Sequence, residues 1–377
     1  MKSTRLKAVI ITPGLLPRFG GSSISEASLC QALRQYCKVR VLCRKGLLDY
    51  DFAKGYGLYA VKQFTPMGVF LAWLFRFHWI NHEIKDAQVV HINGHWKWEN
   101  YFWARLCVRG KIPYVLHPRG MFLLGHRKVL LKRVFNGLIG NWIFKHAAKI
   151  VALSRFEIGQ FKNQPIDETK IAVIPNGIFI PEQVQSSEGK LSVPSPFFLY
   201  LGRIEPRKNL IFLVEEFSAY RKNGGSASLL LMGPVERGYD KVVVKRLNQL
   251  GLKGQVSLYA AAYGLEKWAH LKAAKAVIYP TLEEPFGRVP FEAVLANTLP
   301  VIPAESGSAE YLKPFLPHCL YASQTPGSVA EILQHIDRNS ESENLDRART
   351  WVRQNLEWSK IAYRVSEIYD ELTHQPE

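Results

Sequence analysis

The stretch Tyr279-Pro280-Thr281-Leu282-Glu283-Glu284-Pro285-Phe286-Gly287-Arg288-Val289-Pro290-Phe291-Glu292-Ala293 decides how this chain is read. The apolar run Ala276-Val277-Ile278-Tyr279 stops at Pro280 and is too short for a helix, so it reads as a buried strand. From Val289 to about Ala296 the pattern is helical, with Pro290 in the first turn, where a missing N–H costs little. Glu284, Phe286, Gly287 and Arg288 fall between strand and helix, and Glu292 follows one turn in. Such a turn offers free backbone N–H groups and the positive end of a helix dipole, which suits a phosphate. Carboxylates on either side can accept hydrogen bonds from hydroxyl groups flanking that phosphate, as a nucleotide-sugar would present them. The alternative is an ordinary surface turn, its acidic residues favoured near a helix start by the dipole alone.

Working outward, the same half holds the strand Phe197-Phe198-Leu199-Tyr200-Leu201, then Gly202-Arg203-Ile204-Glu205-Pro206-Arg207-Lys208-Asn209-Leu210 leading into a helix. Gly202 permits close approach. Arg203 brings a planar donor fork and Lys208 a mobile point charge, a pairing that suits a diphosphate. Strands at Ser228–Met232, Val256–Tyr259 and around Pro300-Val301-Ile302-Pro303 continue the series, and a helix carrying Trp358, Ile361, Tyr363, Val365 and Tyr369 ends it.

The first half repeats the pattern. Lys7–Thr12 and Lys38–Cys43 read as buried strands, and between them Gly20-Gly21-Ser22-Ser23 opens a helix to about Tyr36, with the serines as caps. This βαβ unit lacks G-x-G-x-x-G, so a nicotinamide cofactor is not supported, and a plain structural turn is the competing reading. Further strands, Gln88–Ile92 and Pro113–Leu116, run into Asn93-Gly94-His95-Trp96 and His117-Pro118-Arg119-Gly120. Ligands of open parallel sheets bind outside the carboxyl ends of the strands, which makes His91, His95 and His117 candidates and Arg119 a possible anion ligand. Segments Ala148–Ser154 and Lys170–Gly177 close the half, and 181–196 has linker composition. Two βα series imply two Rossmann-like domains with a cleft between them: residues 1–180, and 197–359, with a C-terminal helix of about 360–377.

The totals agree. A length of 377 residues favours two domains, and 47% hydrophobic residues describe a globular protein. Five cysteines without a C-x-x-C pair argue against a zinc site or disulfide framework and lead to the expectation of a reducing cytosol. The longest apolar run, Met67 to Phe75, is far short of the roughly 20 residues of a membrane-spanning helix. Residues 1–180 carry a balance of +18 and the remainder −1, so an anionic partner of the first half is expected. Aromatic and apolar residues at 67–80, and mixed apolar and basic residues from Met121 to Phe135, suit an interfacial contact with an anionic membrane; buried core with a solvated basic face is the alternative. Asp49-Tyr50-Asp51 spells D-x-D but has too few companions for a magnesium or manganese site, and reads as a solvated loop.

In order and spacing, Gly20-Gly21, Ile174-Pro175-Asn176-Gly177, Gly202-Arg203 with Lys208, and Glu284 with Glu292 resemble glycosyltransferase family 4, over nearly the whole chain. That resemblance implies the retaining GT-B fold, an α/β arrangement of two Rossmann-like domains facing each other across a cleft, the C-terminal helix crossing back to the N-terminal one. It also implies site roles. Arg203 and Lys208 would neutralise the leaving diphosphate, Glu292 would accept from the ribose and Glu284 from the donor sugar. Backbone N–H groups around Phe286, Gly287 and Arg288 would hold sugar and phosphate. Gly20 and Gly21 would approach the donor phosphates, and His117 would contact the sugar near its anomeric carbon. No cofactor or metal is expected, the nucleotide-sugar being a co-substrate, and no protein nucleophile, because the resemblance implies front-face attack with a donor phosphate oxygen taking the acceptor proton. The form Leu116-His117-Pro118-Arg119-Gly120-Met121 is similar to bacterial members building surface polysaccharides, which implies a glycan or lipid-linked acceptor and a cytoplasmic protein peripheral to the inner membrane face. Two positions depart from the family pattern: Thr298 replaces a common glycine, and Ala260-Ala261-Ala262 follows a strand often ending in glycine. A sugar-phosphate synthase with a soluble acceptor is the rival enzyme. A basic nucleic-acid-binding protein is disfavoured, because no helix-turn-helix or RNA-binding signature is present.

Overall fold

The computed structural model describes residues 5–75, 83–121, 129–161, 164–180, 193–338 and 343–374. The chain divides into two compact units, Met1–Gly177 together with Leu356–Glu377, and Ile178–Asn355. Of the inferred linker, 181–192 lies outside the described residues, as do 76–82 and 122–128 of the two interfacial segments.

The first unit is built on β1 (Lys7–Thr12), β2 (Lys38–Arg44), β3 (Val61–Phe64), β4 (Val89–Asn93), β5 (Tyr114–His117), β6 (Lys149–Ala152) and β7 (Ile171–Val173). All pairs are parallel, in the order β3-β2-β1-β4-β5-β6-β7. Parallel strands need crossovers, which cover both faces, so these strands are apolar almost throughout. Alternation divides them between two cores. Val9, Ile11, Val90, Ile92 and Leu116 enter one cluster with Trp103 and Phe144, while Ala8, Ile10, Val89 and Val115 enter the other.

The helix Trp358–Thr373 completes that second cluster with Ile361, Ala362, Val365, Ile368 and Tyr369, all buried. Burying each large apolar side chain of this set contributes about 1.5–3 kcal/mol relative to exposure. The helix is also pinned by Arg364, which donates to the Val173 carbonyl at 2.6 Å, and by a Lys149–Glu371 ion pair at 2.8 Å. Gly177 is required here because a Cβ would stand 2.3 Å from the Trp358 indole.

The second unit holds β8 (Phe197–Leu201), β9 (Ser228–Met232), β10 (Val256–Tyr259), β11 (Ala276–Ile278), β12 (Leu299–Pro303) and β13 (Leu320–Tyr321), again all parallel, ordered β10-β9-β8-β11-β12-β13. Both units are thus Rossmann-like. Strand order reverses between β1 and β4 and between β8 and β11, and such switch points open a crevice at the carboxyl edge.

Some local expectations need correcting. β3 and β13 have no counterpart among the strands read from sequence; both are short edge strands. The first helix runs Gly21–Leu33, and its serines do not cap it. Ser23 instead donates to the Gly14 carbonyl at 3.1 Å and Ser22 to that of Phe19 at 3.2 Å, tying the helix start to the preceding loop. Asp49 is not a solvated loop residue but the N-cap of Tyr50–Gly55, accepting from the Phe52 N–H at 3.0 Å. Thr298 uses its hydroxyl, donating to the Leu271 carbonyl at 2.6 Å. The five cysteines are buried and form no disulfide. Among the described residues no helix is long and apolar enough to cross a membrane.

At the carboxyl ends of β8 and β9 two glycines touch: a Cβ on Gly233 would stand 1.8 Å from the Gly202 carbonyl oxygen. Backbone cannot yield as a flexible side chain does. Gly233→Ala should therefore destabilise the second unit by more than about 2 kcal/mol, read as a lowered denaturation midpoint. An unchanged midpoint would show that the two turns do not pack this closely.

Candidate functional site

The switch point of the second unit gathers three side chains. β8 ends just before Gly202, and the 3-10 turn Pro206–Lys208 brings Lys208 back over the sheet edge. β11 ends before Tyr279, whose N–H still bonds to the Val301 carbonyl at 2.9 Å and so keeps the chain in sheet register. The chain then turns through Glu283 at φ +52° and Gly287 at φ +66°. A Cβ on Gly287 would stand 2.9 Å from the Tyr279 ring, so glycine answers both the dihedral and the space. Glu284 is anchored through its backbone, its carbonyl accepting from the Gly307 N–H at 2.8 Å.

The result is a closed triangle. Lys208 Nζ lies 3.1 Å from both Tyr279 Oη and Glu284 Oε2, and Tyr279 Oη is 3.1 Å from the same carboxylate oxygen. The ammonium also sits 5.1 Å from the Tyr279 ring centroid, within cation–π range. Burial alone would lower the Lys208 pKa, but Tyr279 and Glu284 overcome it and the pKa is raised. Burial alone would raise that of Glu284, and Lys208 outweighs it, so the carboxyl is held below the usual range. Both groups are therefore charged at neutral pH while largely shielded from water. A shielded charge acts more strongly on a ligand than one in bulk solvent.

The other expected residues have partners of their own. Glu292 is buried and paired with Lys267 at 3.1 Å; Lys267 and Arg288 overcome its burial and hold its pKa low. Arg203 is half exposed and faces Glu205 at 3.2 Å and Glu236 at 3.9 Å, so an incoming phosphate would compete with two carboxylates. Phe286 turns inward and stacks on Phe291, ring centroids 4.7 Å apart, leaving only its backbone for a ligand. The helix is Val289–Leu295, and its Glu292 N–H already bonds to the Arg288 carbonyl at 3.0 Å. Two residues of the site escaped sequence reading. Tyr279 was detectable as the last residue of the strand run; Lys267, on the helix Gly264–Ala273, carries no sequence signal linking it to Glu292.

The first unit places a second polar cluster at its own carboxyl edge. His117 ends β5, and its Nδ1 lies 3.3 Å from His91 Nε2 on β4. Arg119, at φ +54°, is buried and donates to Asn93 at 2.6 Å and to Asn176 at 3.1 Å. Asn176 and Gly177 thus have separate structural tasks, one holding Arg119 and one seating Trp358. Burial pushes the carboxyls of Glu26 and Glu157 up to about 7, with Arg119 opposing the shift in both. Glu157 accepts from the N–H groups of Gly120 at 2.6 Å and Leu153 at 2.7 Å. Gly20 caps the helix Gly21–Leu33 at φ +59°, with open space where a Cβ would point. His95 is held elsewhere, its Nε2 2.9 Å from Asn136 Oδ1.

Two doubly wound parallel sheets, the second with a buried lysine–carboxylate pair at its switch point, define a protein of the GT-B class. A family model described as Glycosyltransferase Family 4 matches residues 19–180, and one described as Glycosyl transferases group 1 matches 182–353. The chain belongs to glycosyltransferase family 4. It is 22% identical to a lipopolysaccharide 1,2-N-acetylglucosaminetransferase of Salmonella typhimurium, over 58% of this chain and 61% of that protein. It is 29% identical to a probable sucrose-phosphate synthase of Thermosipho melanesiensis, over 38% of this chain and 34% of that one. The alignments thus span about six-tenths and one-third of these relatives' lengths. Among solved structures, the Anabaena protein Alr3699/HepE in complex with UDP superposes with a TM-score of 0.78 at 18% identity, covering 97% of this chain and all of that one.

Lys208→Met should cost about 3 kcal/mol of stability at pH 7, because it strands a buried carboxylate. Glu284 has a depressed folded pKa, so the stability its pairing contributes is complete above the unfolded value of 4.5 and is lost as pH falls through the folded value. The deficit of the variant should accordingly shrink below pH 4.5, measured by denaturant titration. A deficit independent of pH would assign the loss to packing instead.

Proposed function

We propose that this protein is a metal-independent, retaining glycosyltransferase moving a sugar from a nucleotide-sugar to a glycan or lipid-linked oligosaccharide in surface polysaccharide synthesis. The observation that carries the reading is the Lys208–Tyr279–Glu284 triangle at the switch point. As the glycosidic bond to the diphosphate breaks, negative charge grows on the leaving group. Lys208, its proton tightly held, supplies a fixed cation there, with Arg203 beside the same strand end. Glu284 and Glu292, both ionised, accept from sugar and ribose hydroxyls. His117 contacts the sugar, and Gly20 and Gly21 admit the donor phosphates. The acceptor hydroxyl attacks from the face the diphosphate leaves, and its proton passes to a donor phosphate oxygen. Configuration is kept without a protein nucleophile. Similarity to a lipopolysaccharide transferase supports the acceptor class, and a neighbour solved with UDP supports a nucleotide donor. The sucrose-phosphate synthase relative keeps a soluble sugar-phosphate acceptor as the second reading.

The acceptor half would work at the inner face of the plasma membrane. What supports this is its charge of +18 and the segment after Val129, where Leu130, Leu131, Val134 and Leu138 are exposed beside Lys132 and Arg133. Met67, Leu74 and Phe75 of the helix Pro66–Phe75 are exposed as well. Basic and apolar groups together are what binding to an anionic bilayer requires.

Lys208→Ala and Glu292→Ala should each lower transfer by about 100-fold or more with circular dichroism unchanged, while a strong chelator leaves the wild type active. Near-normal turnover of either variant would sink the site assignment, and a strict metal requirement the metal-free chemistry. Sedimentation with anionic vesicles should be strong at low salt and weaken as salt rises, and weak with neutral vesicles. Equal partition into both kinds would remove the membrane claim.

A further inference from the structure

The helix Trp358–Thr373 does more than complete a core. Its Tyr369, fully buried, places Oη 2.7 Å from His91 Nδ1, and His91 Nε2 lies 3.3 Å from His117 Nδ1. A file of three side chains therefore joins the C-terminal helix to the end of β5. Its outermost atom, His117 Nε2, is buried and has no hydrogen-bond partner among the described residues. Alternation puts His91 and His117 on the sheet face that this helix covers, the face of Val89 and Val115.

Hydrogen-bond arithmetic gives the file a direction. A neutral imidazole donates through one nitrogen and accepts through the other, so fixing one partner fixes the whole chain. If the Tyr369 hydroxyl donates to His91 Nδ1, then His91 donates through Nε2 to His117 Nδ1, and His117 carries its proton on Nε2. In the opposite direction His91 would donate to Tyr369, whose own hydroxyl proton would then need an acceptor. None lies within reach among the described residues, and a buried donor left without a partner is costly. The first direction leaves its one free donor at the carboxyl edge of the sheet, where a ligand can satisfy it. Both imidazoles stay neutral: burial and Arg119 hold His91 down to about 3, and burial, Arg119 and His91 hold His117 well below its usual value.

We propose that Tyr369 is a positioning residue for His117: acting through His91, it makes His117 present an N–H, not a lone pair, to an oxygen of the transferred sugar. The inference rests on the reading of His117 as a donor-sugar contact, and it sharpens that reading by giving His117 the role of hydrogen-bond donor and excluding general base. It also gives the returning C-terminal helix a part in the chemistry of the site.

The test uses the full chain labelled with 15N-histidine, whose long-range 15N–1H correlations report the tautomer of each ring, the His117 signals being assigned by their loss in His117→Gln. The wild type should show His117 protonated on Nε2 and His91 likewise. Tyr369→Phe, which removes only the hydroxyl, should let both rings populate the other tautomer and lower kcat about tenfold at nearly unchanged donor KM. His117 protonated on Nδ1 in the wild type overturns the proposal without recourse to any variant. So does a Tyr369→Phe protein whose tautomers and kcat match the wild type. If His117→Gln retains full turnover while the tautomers behave as described, the relay stands and the sugar-contact reading fails, so the two are separable.

Discussion

Parallel strands cannot be joined by a tight turn, so every connection in both sheets must cross back over a face before the next strand begins. Functional loops therefore collect at one edge, and they part at the point where strand order reverses. The second unit depends on that constraint at β8 and β11. Lys208 and Glu284 are 76 residues apart in sequence and 3.1 Å apart in space because their strands are neighbours at the reversal. The φ of Gly287 and the seating of Tyr279 help to hold that edge in shape.

The electrostatics of the two units follow one logic in different forms. In the second, three cations already have carboxylates: Lys208 has Glu284, Lys267 has Glu292, and Arg203 has Glu205 and Glu236. These pairs keep their charges while partly withdrawn from water, so a polar ligand meets groups that are already ionised and oriented. In the first, the buried guanidinium of Arg119 is held by two asparagines and faced by carboxyls whose pKa values are raised to about 7. That edge is polar without being strongly charged. The excess of +18 belongs to residues 1–180 as a whole.

Much of this could be read before any coordinates. Short apolar runs, several of them stopping at glycine or proline, marked eleven strands, since a strand covered on both faces is apolar almost throughout. The two strands missed, Val61–Phe64 and Leu320–Tyr321, lie at sheet edges, where one flank needs no partner and the apolar signal fades. The candidate residues Arg203, Lys208 and Glu284 were legible because each lies in the segment between a strand and the next helix, a place that periodicity locates.

The sequence by itself determined the two βα series, the charge asymmetry and the identity of the residues after the strands, because these depend on local pattern and composition. Only the tertiary structure decided which of those residues meet. Lys267 found Glu292, Phe286 turned into the core, Asp49 became a helix cap, and Tyr369 reached His91 across 278 residues of chain. Such pairings follow from strand order and helix docking, which are settled by the burial of whole faces and leave no trace in the spacing of the two residues concerned.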